Sequence, residues 1–126
     1  MSDRFRFRLW DDELKTYFHS NDDGSLQFDI EKVLDGLTVH EGEVLEQCTG
    51  LKDKNGRLIY EGDIVKRISK HDEEEPTVSL RVEWNNKGGR YVTTDKKHST
   101  WTFSMFDYFY EVVGNIHENP ELLEDK

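Results

Sequence analysis

The 126-residue chain contains one cysteine, two prolines and no alanine. With Cys48 alone, neither an intrachain disulfide nor a zinc site built from several thiolates of this chain is possible. Alanine is the best helix former, so its absence disfavours long helices. No segment approaches the roughly 18 apolar residues of a membrane span, and the first residues alternate Arg and Phe where a secretory signal has an apolar core. We therefore expect a cytoplasmic protein that does not contact a membrane.

The charge balance narrows the choice of partners. Charged residues make up 35% of the chain and the net charge is -10. Binding to phosphate backbones or anionic lipids depends on clustered Lys and Arg, so this charge disfavours nonspecific adhesion to either. Aromatic residues reach 12%, which predicts a core rich in rings.

Short segments with a period of two predict a mostly β fold. Residues 4–9 alternate basic and apolar side chains, and residues 78–84 alternate apolar and polar ones. Asn55 and Gly56 fit the paired positive-φ positions of a tight hairpin, and Gly62 permits a bulge or sharp bend. Short helical turns are expected at most near residues 30–37 and after Asn119, which can cap one. The sequence thus predicts small barrels or packed antiparallel sheets with at most two short helices.

The length favours one domain over residues 1–126. An N-terminal β subregion (residues 1–48) followed by a β-barrel subregion (residues 49–126) is the alternative division. The chain has no internal repeat and no linker rich in Pro, Gly or Ser.

Four long strings are spread over the chain, namely FRFRLWD (residues 5–11), TGLKDKNG (49–56), IYEGDIV (59–65) and VGNIHENPELL (113–123). Together they resemble the YopX family of phage and prophage proteins. The resemblance implies a phage or prophage accessory protein, mostly β, with a part similar to an SH3-like barrel. It implies no mechanism and brings no catalytic or binding residue with it.

The first predicted strand offers one candidate interaction surface. Arg4, Arg6 and Arg8 share a strand face and could contact phosphates, while Trp10 could stack on a base. The alternative is an ordinary solvated strand face whose arginines form ion pairs with the many acidic residues, and the negative net charge favours it.

The aromatic segment at residues 101–110 offers a second candidate interaction surface. Trp101 shares one strand face with Phe103 and Met105, whereas Phe106, Tyr108 and Tyr110 share the other, so the apolar phase slips by one residue at Met105. A sheet covered on both sides explains rings on both faces. An exposed patch for a partner protein or a second copy is the alternative.

Catalytic and metal sites are not indicated. Glu61 and Asp63 flank Gly62 as a pair of carboxylates, but hydrogen bonding to nearby backbone amides is the ordinary role of such acids. The five histidines show no metal-ligand spacing, and Cys48 is expected to be a small buried hydrophobe. We expect no cofactor and no enzymatic activity. The preferred interpretation is a protein-interaction module with a host or phage protein as partner, and the alternative is a nucleic-acid-binding module.

Overall fold

The computed structural model describes residues 6–19, 43–95, 97 and 99–123. Within these residues nine strands follow one another in the chain, and a short 3₁₀-helix comes after them. The strands are β1 (Phe7–Asp11), β2 (Thr16–His19), β3 (Glu43–Lys52), β4 (Leu58–Tyr60), β5 (Asp63–Ser69), β6 (Val78–Asn85), β7 (Arg90–Thr94), β8 (Thr100–Thr102) and β9 (Tyr108–Asn115), and the 3₁₀-helix is Pro120–Leu123.

The strands form two antiparallel sheets. The four-stranded sheet has the order β2-β1-β3-β4, and the five-stranded sheet has the order β8-β7-β6-β5-β9. One of the two sheets is a curled half-barrel. The predicted mostly β fold is confirmed. β3 continues across residue 48, and the division of the chain into two subregions stays a prediction.

The main apolar cluster joins the two sheets. Ile59 of β4 packs against residues of the five-stranded sheet, namely Val65, Leu80, Val82, Tyr110 and Val112. The ring of Phe103 meets that of Tyr110 edge-on with centroids 4.7 Å apart, and the Tyr110 hydroxyl accepts the backbone N–H of Ser104. This cluster is mostly aliphatic, with Tyr110 as its buried ring and Tyr91, Phe103 and Tyr108 partly buried against it. The rings that the composition predicts therefore lie largely at the border of the cluster.

The turn between β3 and β4 lies where the Asn-Gly pair predicts it, but its geometry differs. Gly56 has φ of 85° and Asn55 is not in the positive-φ region, so the paired positive-φ positions are not found. Gly56 N donates to Asp53 O, and the Asp53 carboxylate accepts the N–H groups of Asn55 and Arg57 at 2.9 Å each. The carboxylate stabilises this longer turn, in which one glycine suffices.

The same turn covers one edge of the five-stranded sheet. The second Asp53 oxygen accepts the N–H of Val112 at 3.0 Å, and Lys54 N donates to Tyr110 O at 2.8 Å. These bonds lie along β9, which ends the order of that sheet. The turn therefore links the two sheets through backbone groups of β9.

The predicted bend at Gly62 is found, whereas the predicted helix cap at Asn119 is not. Gly62 has φ of 90° between β4 and β5, which agrees with the predicted bend. The phase slip near Met105 is a turn that separates β8 from β9. Asn119 does not cap the C-terminal helix with its side chain, because its Oδ1 accepts the N–H of Asn115 at 3.2 Å. The helical turn predicted at residues 30–37 lies outside the described residues.

Candidate functional site

The four candidate residues of the first strand do not form an open surface. Arg4 lies outside the described residues, Arg6 is half-buried, and Arg8 and Trp10 are 4% and 2% exposed. The expected solvated face at Arg8 is therefore wrong, because a second layer of side chains covers it. The ion pairing with acidic residues is found, but it occurs inside the protein.

Arg8 is the centre of a buried ionic cluster formed by Arg8, Glu46, Asp63 and His117. Its Nε lies 2.8 Å from Glu46 Oε1, and a terminal nitrogen lies 2.9 Å from Asp63 Oδ1. His117 Nε2 lies 2.8 Å from the other Glu46 oxygen, and the Tyr17 hydroxyl donates to Oε1 at 3.1 Å. The cluster thus connects β1, β3, β5 and the segment after β9.

Aromatic rings enclose this cluster. The Arg8 guanidinium carbon lies 4.2 Å from the Tyr17 ring centroid and 4.7 Å from that of Tyr60. Trp10 stacks on His117 with centroids 4.8 Å apart and an interplanar angle of 6°. Such contacts stabilise a desolvated cation and explain why Trp10 is inside rather than available to a base.

Burial and charge act against each other in the cluster. Burial alone lowers the pKa of Arg8, but the carboxylates of Asp63 and Glu46 outweigh it and leave that pKa above its ordinary value. Burial raises the pKa of Asp63, and the nearby Arg8 offsets part of the rise. Burial also raises the pKa of Tyr17 far above the usual range for a phenol. The groups are held as a closed network, since each Glu46 oxygen already has a partner.

Glu46 and His117 are not among the site residues predicted from the sequence. A signal for part of the cluster was nevertheless present, because three strings that carry the family resemblance supply Arg8, Asp63 and His117. Asp63 also accepts the N–H of Tyr60, and Glu61 accepts the N–H of Gln47. Asp63 thus bonds to an amide of its own turn, as predicted for this acidic pair, whereas Glu61 bonds to an amide of β3.

The aromatic candidates divide between core and surface. Tyr110 is fully buried in the core and Tyr108 is half-buried against it, so neither forms an open patch by itself. Phe106 is 82% exposed in the turn before β9, and Trp101 is 44% exposed on β8. The rings therefore serve both the core and the surface, and Tyr110 is corrected from an interaction candidate to a core residue.

Trp101 lines the Arg67 groove, a surface cleft of about 650 Å³. The cations that line it are Lys66 and Arg67 of β5 and Lys97 of the loop before β8, and the only acid among its lining residues is Asp95. Its other lining residues are apolar or carry hydroxyl groups, namely Thr77, Val78, Ser79, Leu80 and Leu123. A locally positive cleft with an aromatic wall is thus present in a chain whose net charge is -10.

Arg67 is held in place within this groove. Its guanidinium carbon lies 4.4 Å from the Tyr108 ring centroid and 5.2 Å from that of Trp101. The nearest carboxylate oxygen, on Glu75, is 3.8 Å away, and Arg67 Nε is buried without a hydrogen-bond partner among the described residues. An arginine can donate five hydrogen bonds, so this one retains donor capacity that its surroundings use poorly.

The described residues contain no group of three or more His, Cys, Asp or Glu side chains arranged to hold a metal ion. Over the same residues, none of the helical structure is long and apolar enough to span a membrane. Cys48 is fully buried, as expected for a small hydrophobe.

Comparison with known proteins decides the family. The family model described as "YopX protein" matches residues 6–124. The chain belongs to the YopX family. This confirms the resemblance carried by the four strings, three of which supply residues of the buried ionic cluster.

Solved structures of other proteins share the fold. Protein EF1440 from Enterococcus faecalis is 25% identical, with a TM-score of 0.60, and the match covers 94% of this chain and 96% of that one. Protein yopX from Bacillus subtilis is 21% identical, with a TM-score of 0.62, and the match covers 95% and 98%. A search of curated proteins found no match.

Proposed function

We propose that this YopX-family protein is a non-enzymatic interaction module that binds an acidic segment of another protein in the Arg67 groove. The observation that carries the proposal is the groove itself, which is lined by three cations and a half-exposed tryptophan. We further propose that the partner is a host or phage protein and that the two meet in the bacterial cytoplasm, with the chain as a phage or prophage accessory protein.

Charge complementarity supports an acidic ligand. Lys66 and Lys97 are exposed at the groove, and Arg67 lies between aromatic rings. A carboxylate entering the groove meets these cations, whereas the remaining acidic surface repels it. Such a field favours one binding orientation and one location on the protein.

Preorganisation supports Arg67 as the anchor. Its side chain is 11% exposed, so few rotamers remain to be lost when a ligand binds. Its ion pair with Glu75 is long, at 3.8 Å, and a ligand carboxylate at hydrogen-bonding distance would interact more strongly. Trp101 beside it offers the kind of ring that is enriched at protein interfaces.

Two features favour a protein ligand over a nucleic acid. Arg8, one of the three arginines proposed to contact phosphates, is committed to Glu46 and Asp63 in the interior. The Arg67 guanidinium covers one face of Trp101, which reduces the surface on which a base could stack.

A non-enzymatic role fits the state of the titratable groups. The carboxylates of the buried ionic cluster are already engaged by Arg8, Tyr17, His117 and the backbone of Tyr60. Among its lining residues, the groove holds neither a His nor a Cys that could act as base or nucleophile.

Selection from a random 12-residue peptide library tests the proposal. We expect recovered sequences to be enriched in Asp and Glu, and their binding to fall at least tenfold in the double variant Lys66→Glu, Lys97→Glu. The matched control is Lys87→Glu, Arg90→Glu, which makes the same charge change at two exposed residues outside the groove. This control should keep most of the binding.

Three outcomes would overturn the proposal. One is a selection that yields no binder or yields basic sequences, and another is equal loss of binding in both double variants. The third is tight, salt-sensitive binding of single-stranded oligonucleotides that is lost in the groove variant, which would assign the groove to nucleic acid.

A further inference from the structure

The two edge strands of the five-stranded sheet, β8 and β9, differ in how far other residues cover them. Two outer backbone groups of β9, the N–H of Val112 and the C=O of Tyr110, are bonded to Asp53 and Lys54 of the β3–β4 turn. At the opposite end, Thr100, Trp101 and Thr102 of β8 are all exposed. One edge is therefore covered by the protein's own turn, whereas the other presents its residues to solvent.

From this difference we infer that the acidic segment bound by the Arg67 groove docks as an extra antiparallel strand along β8. The inference rests on the proposed function and adds the conformation of the ligand and the backbone groups that hold it. Addition of a strand to an exposed sheet edge is a general mode of peptide recognition, in which main-chain hydrogen bonds supply affinity and side-chain pockets supply specificity.

The hydrogen-bond phase of β8 identifies the groups that face outward. Asp95 N donates to Ser99 O, and the next residue pairs toward the strand interior are Thr94 with Thr100 and Thr93 with Trp101. Hydrogen-bonded and non-hydrogen-bonded pairs alternate along an antiparallel ladder, so Thr94 and Thr100 form a non-hydrogen-bonded pair, and Thr93 and Trp101 form a hydrogen-bonded one. Trp101 therefore directs its backbone groups toward β7.

A side-chain contact agrees with this phase, because the Thr93 hydroxyl donates to Trp101 O at 3.3 Å. Thr100 and Thr102 then direct their N–H and C=O groups away from β7. An added strand thus meets two donors and two acceptors at the edge of β8.

The sequence of β8 suits an added strand. Thr-Trp-Thr combines three residues that favour strands, and it lacks the Lys, Pro or inward charge that usually protects a sheet edge. Trp101 lines the Arg67 groove, so those side chains of an added strand that share the face of Trp101 would be directed toward the groove. The like charge of two copies of this acidic chain disfavours a second copy as the added strand.

Thr102→Pro is the decisive variant. It removes one outward N–H and leaves the β7–β8 hydrogen bonds intact, because proline is tolerated on an edge strand where its nitrogen faces solvent. Thr102→Val is the matched control, since it keeps that N–H. With an acidic peptide from the library selection, we expect at least a tenfold weaker Kd for the proline variant, an unchanged Kd for the valine variant and an unchanged Tm for both.

Methylation of the peptide backbone provides a second readout. We expect N-methyl groups at every second residue of the selected peptide to abolish binding, and those at the intervening residues to be tolerated. Equal Kd values for both Thr102 variants, or an N-methyl scan without alternation, would overturn strand addition while leaving the groove function in place. A selection without binders would instead remove the proposed function. Self-association of the free protein that Thr102→Pro abolishes would assign the edge to a second copy and overturn the inference.

Discussion

Replacement of Arg8 by methionine tests whether this arginine is structural. The change removes the cation that lies 2.8 Å from Glu46 and 2.9 Å from Asp63, and both carboxylates are at most 3% exposed. Removal of one partner from a buried ion pair costs about 3–5 kcal/mol, because the opposite charge is left without compensation. We expect Arg8→Met to lower the free energy of unfolding by an amount in that range.

Urea denaturation followed by tryptophan fluorescence measures this loss. With an m-value of about 2 kcal/mol per molar urea, the midpoint should fall by roughly 2 M. Lys15→Met is the control, because Lys15 forms an ion pair with Asp12 in which both side chains are more than half exposed. The control should leave the midpoint unchanged.

A second substitution sharpens the test. Glu46→Gln added to Arg8→Met removes one of the two uncompensated charges and keeps an acceptor for Tyr17. We expect the double variant to be more stable than Arg8→Met alone, which is strongly non-additive behaviour. An Arg8→Met protein as stable as the Lys15→Met control would refute the reasoning.

Two further predictions concern the turns that connect the sheets. Burial alone raises the pKa of Asp53, but hydrogen bonds from the N–H groups of Val112, Arg57 and Asn55 outweigh it and hold the pKa below its usual range. Asp53→Asn should therefore cost about 2–3 kcal/mol at pH 7. A depressed carboxyl pKa stabilises above pH 4 or so and loses that contribution as the pH falls further, so the difference from wild type should shrink in acid-dependent urea titrations. An undiminished difference at pH 3 would contradict this. Gly62→Ala should cost more than Gly56→Ala, because both glycines have positive φ but only at Gly62 would a Cβ collide with the Glu46 carboxylate. Equal midpoints for the two variants would contradict the packing around Glu46.

The alternation of polar and apolar residues predicts strands but not what covers each face. In residues 4–9 the pattern separates Arg8 from Leu9 correctly, yet both are buried. The groups that pair with Arg8 lie on strands far away in the chain, with Glu46 38 residues along. A period of two carries no information about such distant partners, so a solvated face is the natural expectation from local pattern alone.

The sequence predicts where a turn lies better than it predicts the backbone conformation of that turn. Asn55 and Gly56 mark the hairpin correctly, but the Asp53 carboxylate bonds to the turn amides and selects a different backbone conformation. Asn119 is the residue type that caps helices, yet its amide oxygen bonds to the preceding strand. In both cases a side chain has several backbone donors within reach, and tertiary packing decides among them.

Part of the candidate site can be predicted from the sequence. Trp101 stands out because its segment is too rich in rings for one core face. Lys66 and Arg67 do not, since a basic pair on a strand is ordinary and only the folded sheet brings the Arg67 guanidinium within 5.2 Å of the Trp101 ring centroid. The groove is thus a consequence of topology that no local pattern encodes.

Amide chemical-shift mapping with a selected acidic peptide tests the central claim most directly. Titration of the ¹⁵N-labelled protein should shift the resonances of Lys66, Arg67 and Lys97 together with those of Thr100 and Thr102. Shifts centred on Arg6 or Phe106, with the groove residues unchanged, would contradict the account.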